Sequence, residues 1–357
     1  MTTDQATPAV PDRSRTGRPP EARRRPLGAL GLLLGTTAVL VVLALCSVAV
    51  GSRPIPLDEV VTTLRDRSAA DPHLEAIIWG VRLPRTLLGL CVGAALGLSG
   101  ALMQGLTRNP LADPGLLGVS AGGALGVSIG VGVFGVSALY GYIWFAFAGA
   151  LLASVVVYLL GSLGRGGSTP VKIALAGVAV TFLLNSLTYV IVLRSPEALN
   201  RYRFWAAGSL AGPDGNTVLA VLPFVCAGAV LAIATAPALN SLALGDDVAA
   251  ALGRRVRWVR LQGVLAVTLL AGAAVAVAGP IVFVGLVVPH VARLVTGPDH
   301  RWLLPFSMVL APALLLLADV VGRVVARPSE VGVGIVAAFL GGPFFIALVR
   351  RRRLAEL

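Results

Sequence analysis

Residues 82–126 read RLPRTLLGLCVGAALGLSGALMQGLTRNPLADPGLLGVSAGGALG. Arg82 and Arg85 bracket Leu83-Pro84, and an apolar run follows with a small residue at every fourth position: Gly89, Gly93, Gly97, Ala101 and Gly105. Asn109-Pro110 and Asp113-Pro114 interrupt it, after which Gly118, Gly122, Gly126 and Gly130 resume the four-residue period. Residues four apart share a helix face, so each run offers a smooth strip where another backbone can approach closely. Backbone embedded in lipid must satisfy its own hydrogen bonds, which places the polar break at a membrane edge or against a protein-lined path. The stretch therefore predicts two membrane helices, joined by a short polar turn, lying inside a bundle.

The rest of the chain fits that reading. Of 357 residues, 56% are hydrophobic and 13% charged, and the mean hydropathy is +0.86. Soluble domains carry about 25% charged residues, so a soluble enzyme or binding domain is excluded. Apolar stretches near or above the roughly twenty residues that cross a hydrocarbon layer recur along the chain. The spans read as 27–51, 84–106, 114–134, 141–163, 171–193, 216–237, 260–279, 281–296, 302–325 and 331–349. The split at Gly279-Pro280 is open, because Pro can kink a membrane helix as well as end one. The expected fold is all-α, a polytopic membrane protein of about ten transmembrane helices. Residues 1–26 read as a disordered polar tail, 27–350 as the membrane domain and 351–357 as a second tail. The run at 27–51 is longer than a signal-peptide core and lacks a small-residue cleavage site, so it reads as an uncleaved first span.

Charge sets an orientation. With ten spans and both termini in the cytoplasm, 19 of the 29 Lys and Arg residues fall on the cytoplasmic side. Nine spans would send the cluster Arg350–Arg353 outside, against the positive-inside bias. The net charge of +12 thus reflects membrane lipids and orientation rather than a nucleic-acid partner. Cys46, Cys91 and Cys226 sit in apolar runs and read as small buried hydrophobes. No Cys/His spacing suggests a metal, and His290 in its apolar helix reads as a packing or hydrogen-bonding residue.

The segment 238–259 is the most polar interior loop. It holds a helical pattern from Asp246 to Leu252 between Gly245 and Gly253. Asp246 and Asp247 suit a helix N-terminus by capping and by the macrodipole. Ala249 to Ala251 would leave a small-sided surface for another protein's groove; an amphipathic connector at the membrane edge is the alternative. No G-x-x-x-x-G-K-[ST] occurs, so any ATP-driven step needs a separate ATPase polypeptide.

The 82–126 run resembles a signature of the ABC-importer permeases that carry iron-siderophore complexes and cobalamin (FecCD type). So do Val288-Pro-His-x-x-Arg293, Ala318-Asp-x-x-x-Arg323 and Gly341-x-Pro-Phe-Phe345, preceded by a Gly-rich turn. Val282 stands where glycine is usual and Gly332 where proline is usual, which bears on the helix starts. The likeness runs from about residue 30 to 352. It implies ten helices in two repeats of opposite topology, paired with a second permease copy or related chain. It also implies transport without catalytic, metal or cofactor residues in this chain, with ATP used by ABC ATPase subunits. Arg82, Arg85 and Arg323 match positions that meet acidic residues of an extracytoplasmic substrate-binding protein, although interfacial snorkelling of long cations is the plain alternative. Leu244, Gly245, Asp246, Asp247, Ala250, Leu252 and Gly253 match the helix that docks on the ATPase. Helices matching 171–193 and 331–349 would line the pathway, and Ser168 and Thr169 in the 166–170 loop are candidates for an inner gate. The implied cargo is a ferric-siderophore complex, with cobalamin or haem as the rival. Asp319 is expected to pair locally with Arg323, which weakens a third reading, an ion-coupled transporter needing free ionisable groups at the midplane.

Overall fold

A computed structural model describes residues 26–67, 71–163, 169–212 and 215–350. The two expected tails lie outside these residues, except for Pro26, which opens the first helix, and so does Ser168. Fourteen α-helices are present among the described residues: α1 (Pro26–Ala49), α2 (Leu57–Arg65), α3 (Pro72–Ile77), α4 (Leu83–Thr107), α5 (Val119–Gly132), α6 (Leu139–Ser162), α7 (Pro170–Arg194), α8 (Pro196–Ala206), α9 (Gly215–Ala243), α10 (Asp246–Ala251), α11 (Val256–Ala278), α12 (Val284–Thr296), α13 (His300–Val325) and α14 (Val333–Arg350). Seven helical stretches are long and apolar enough to cross a membrane, and α5, α12 and α14 are shorter apolar helices. Together they account for each of the ten expected spans.

The glycine strips explain which helices are central. α4 packs against α9, α11, α12 and α13, and 78% of its most apolar window is buried. A Cβ at Gly93 would fall on the Pro312 backbone, one at Gly97 on the Ser307 carbonyl, and one at Gly100 on Gly285. In the second strip, Gly122 meets the Gly149 carbonyl and Gly126 that of Phe145, locking α5 onto α6. Lipid supplies little hydrophobic drive between helices, so such backbone-to-backbone packing carries the association. α11 is buried to the same extent as α4. Its small-residue run, Ala271 to Ala278, does the work that glycine does in α4.

The outer layer is different. α1 leans on α13, yet Leu34, Val42 and Leu45 face outward. α7 exposes Leu175, Phe182, Leu187 and Leu193, and α14 exposes Phe339 and Ile346.

Three details depart from the expectation. α12 starts at Val284 rather than 281, because Phe283 adopts a left-handed backbone (φ 69°). α9 and α11 run into the polar segment, so the connection expected at 238–259 shrinks to 244–255. The loops after α1 and α7 hold the short helices α2, α3 and α8. In α8, Ser195 caps the end by accepting from the Ala198 N–H, with Pro196 as the first helical residue, a start suited to both residues.

Candidate functional site

Alternation of the spans leaves two rims. The arginine rim joins the end of α1, the start of α4, and the connection between α13 and α14. Here Arg82, Arg85 and Arg323 are buried, at 4%, 6% and 1% exposure. Arg82 donates to the carbonyls of Val48 (3.1 Å), Ala49 (2.6 Å) and Arg53 (2.6 Å). Arg323 donates to the carbonyls of Ser47 (2.7 Å) and Val50 (3.1 Å) and to Ser47 Oγ (3.0 Å). Both satisfy carbonyls that α1 leaves unpaired at its C-terminus and bring positive charge to the negative end of its dipole.

Asp319 sits between the Arg85 and Arg323 guanidiniums with no exposure. Its carboxylate accepts from Arg323 Nε (2.9 Å) and Nη2, confirming the expected local pair. It also accepts from Arg85 Nη2 (2.8 Å) and Nε, a partner on another helix that sequence spacing alone does not reveal. Arg85 Nη1 reaches Glu330 Oε2 at 2.6 Å. Burial pushes the Glu330 carboxyl up, but the hydrogen bond and charge of Arg85, helped by Ser52 and Arg323, hold it below the usual carboxylate range. A cavity of about 210 Å³ opens beside this cluster, lined by Ser52, Arg53, Arg82, Arg85, Arg323 and Glu330 among others. That cavity is an opening through which an additional carboxylate could approach the cluster.

The opposite rim carries α10. Its N-cap is Gly245 (φ 112°), and no side chain caps the end. Asp246 is used differently from the expected cap: it pairs with Arg108 at the end of α4, and with Arg260 on α11 at 2.7 Å. Ala249 turns inward while Ala250 and Ala251 face out, so only part of the expected small-sided surface is available. Leu244, Val248 and Leu252 are exposed around them. Gly253, with φ 81°, closes the turn in the left-handed region, where glycine carries no steric cost. The loop is thus a short helix tied at one charge and apolar on its free face. Thr169, proposed for a gate, is described as the N-cap of α7, where Oγ1 accepts from the Lys172 N–H.

A buried polar cluster at the α10 end of the bundle went unread in the sequence. Arg293 Nη2 donates to Gln104 Oε1 at 3.2 Å, and Gln104 Nε2 donates to the Leu286 carbonyl at 3.1 Å. Asn240 joins α9 to α13 by accepting from the His300 N–H (2.9 Å) and donating to Asp299 Oδ1 (2.6 Å). The signal lay in Gln104 and Arg293, polar residues inside otherwise apolar spans. His290, expected to pack or hydrogen-bond, is buried with no partner on Nε2. Among the described residues no group of His, Cys, Asp or Glu is arranged to hold a metal.

Apolar helices long enough to span a membrane, with charge gathered at the two rims, define a polytopic membrane protein. The chain belongs to the FecCD transport family, whose model matches residues 39–351. It is 47% identical over 330 residues to the ferric enterobactin transport system permease protein FepD of Escherichia coli (strain K12), covering 92% of this chain and 96% of that one. It is 40% identical over 337 residues to the hemin transport system permease protein HmuU of Yersinia pestis, covering 93% and 98%. A solved inward-facing transporter assigned to the metal-chelate ABC type superposes with a TM-score of 0.79 at 31% identity, covering 90% of this chain and 99% of that one.

Proposed function

We propose that this chain is the membrane-spanning permease subunit of an ABC importer that moves a ferric-siderophore complex inward. The observation that carries the reading is the 47% identity to a ferric enterobactin permease across 92% of the chain. ATP is bound and hydrolysed by separate subunits, which engage the apolar face of α10 around Leu244, Ala250 and Leu252. Both termini lie in the cytoplasm, which puts the arginine rim outside. There an extracytoplasmic binding protein presents acidic side chains to the cavity beside Arg82, Arg85 and Arg323. Charge-assisted forks give such a contact orientation as well as attraction. A second permease chain covers apolar surface on α7 and α14, and the cargo passes along that interface.

The permeases for hemin and, at 41% identity, for cobalamin in Halobacterium salinarum make those cargoes the rival outcomes. The test is uptake in cells lacking the gene against complemented cells, supplied with labelled iron on several siderophores and with labelled haem and cobalamin. Loss of one ferric chelate alone is expected. Loss of haem or cobalamin uptake instead overturns the cargo, and uptake that survives ATP depletion but collapses with an ionophore overturns the ATP-driven mechanism.

A further inference from the structure

A cleft of about 690 Å³ on the α10 rim lies between the end of α6 and the start of α11 and is lined by Tyr158, Arg254, Arg255, Arg257, Trp258 and Leu261 among others. Its three arginine side chains have no hydrogen bond or ion pair to any described residue, unlike Arg108 and Arg260 nearby, which share Asp246. Among the described residues no carboxylate lines the cleft. Three guanidiniums without a described counter-charge gather in one recess and are suited to an anionic ligand.

Depth and wall chemistry narrow the choice. Tyr158 lies one turn before the end of α6, while Trp258 and Leu261 lie in the first two turns of α11. The apolar wall therefore begins where spanning helices leave the membrane, and Trp258 is 64% exposed. Tyr and Trp at that level are the residues that anchor in the headgroup layer. Arginine stems lie along apolar surface while their heads reach the charged layer. A soluble acidic partner would match the arginines but leave the Trp258 and Leu261 wall uncovered. An amphiphile matches both. We propose that this cleft binds an anionic phospholipid, with its phosphate on Arg254, Arg255 and Arg257 and the upper acyl chain against Trp258, Leu261 and Tyr158.

The site does not depend on which cargo is carried. The test uses the full-length chain in neutral detergent, with phosphatidylglycerol and phosphatidylcholine titrated separately and retained lipid read by native mass spectrometry. The parent should hold phosphatidylglycerol in preference to phosphatidylcholine, and inorganic phosphate should fail to compete. Near a membrane surface each arginine contributes about fivefold in affinity, so R254Q/R255Q/R257Q should weaken phosphatidylglycerol on the order of 100-fold. The control R65Q/R194Q/R203Q removes the same charge from exposed positions on the other rim and should leave binding unchanged. If the triple variant is not recovered from membranes, R257Q alone should show about a fivefold loss. Equal loss in variant and control, no loss in the variant, or full competition by inorganic phosphate would each overturn the proposal. Loss of a co-purifying ATPase subunit with lipid retention intact would also overturn it, marking the cleft as a protein interface.

Discussion

The two rims use arginine in opposite ways. On the α1 side, Arg82, Arg85 and Arg323 are buried and spend their donors on the end of α1 and on Asp319. On the α10 side, Arg254, Arg255 and Arg257 stand in the open. The difference separates charge that holds helices together from charge that faces something else. A partner approaching the first rim meets a closed network, in which Glu330 is the exposed acidic member. One approaching the second rim meets a helix and a cleft with unspent donors.

The sharpest way to break this comparison is to remove the carboxylate that closes the first network. D319A leaves Arg85 and Arg323 buried without their counter-charge. Removing one partner of a buried pair costs about 3–5 kcal/mol, a large part of a typical domain's stability. The expected result is a steep fall in the amount of protein recovered from membranes and in its melting temperature in detergent. The same change at the second rim, D246A, should do neither. Equal melting of D319A and parent would show that the cluster is not part of the fold.

Next come the glycine strips. G97V forces a branched side chain into the Ser307 backbone, whereas G31V on α1 points into open space. Overpacking of this kind costs about 1–3 kcal/mol, so G97V should lower the melting temperature and G31V should not. A matched response in both would mean that the α4–α13 contact can open without loss.

These strips are also where the fold was most legible. Glycine every fourth residue is a one-dimensional signal for close packing; apolar length marks seven spans, and the charge balance at the termini favoured ten over nine. The arginine rim was legible as a position but not as an arrangement. Arg85 and Asp319 are 234 residues apart, and no local pattern distinguishes a guanidinium turned toward solvent from one turned inward. The helices α2, α3 and α8 are short and partly polar, so they lack the apolar length that marks a span. Gln104 and Arg293 were visible as polar residues within apolar runs. Their pairing depends on α4 and α12 crossing, which the strip hints at only through Gly100 and Gly285.

A smaller effect on stability, with a larger one on function, is expected at Asp246. Its pairs with Arg108 and Arg260 are partly exposed, the Asp246 side chain retaining 41% of its accessible surface. Exposed pairs contribute about 0–1 kcal/mol. D246A should therefore melt within a few degrees of the parent, yet lose ATP-driven uptake several-fold because α10 is no longer held against α4 and α11. Unchanged uptake with unchanged melting would remove α10 orientation from the mechanism.

The smallest expected effect tests Glu330, the acidic member of the Arg85 network that still faces outward. The carboxyl of Glu330 is held below the usual range in the folded chain, since the Arg85 hydrogen bond and charge outweigh the opposing effect of burial. A group whose folded value is depressed contributes stability above its unfolded value, near 4.3 for glutamate. That contribution is lost as the pH falls through the lower, folded value. Solvent screens the pair, because the Glu330 side chain keeps 29% of its surface, so the contribution is below about 1 kcal/mol. Melting followed from neutral pH to below about pH 4 should therefore fall slightly more in the parent than in E330Q, with the two curves converging at the acid end. Parallel curves would mean that Arg85 draws its stability from Asp319 alone. The 326–332 connection would then be free to move when a partner's acid enters the cavity, without first breaking a bond to Glu330.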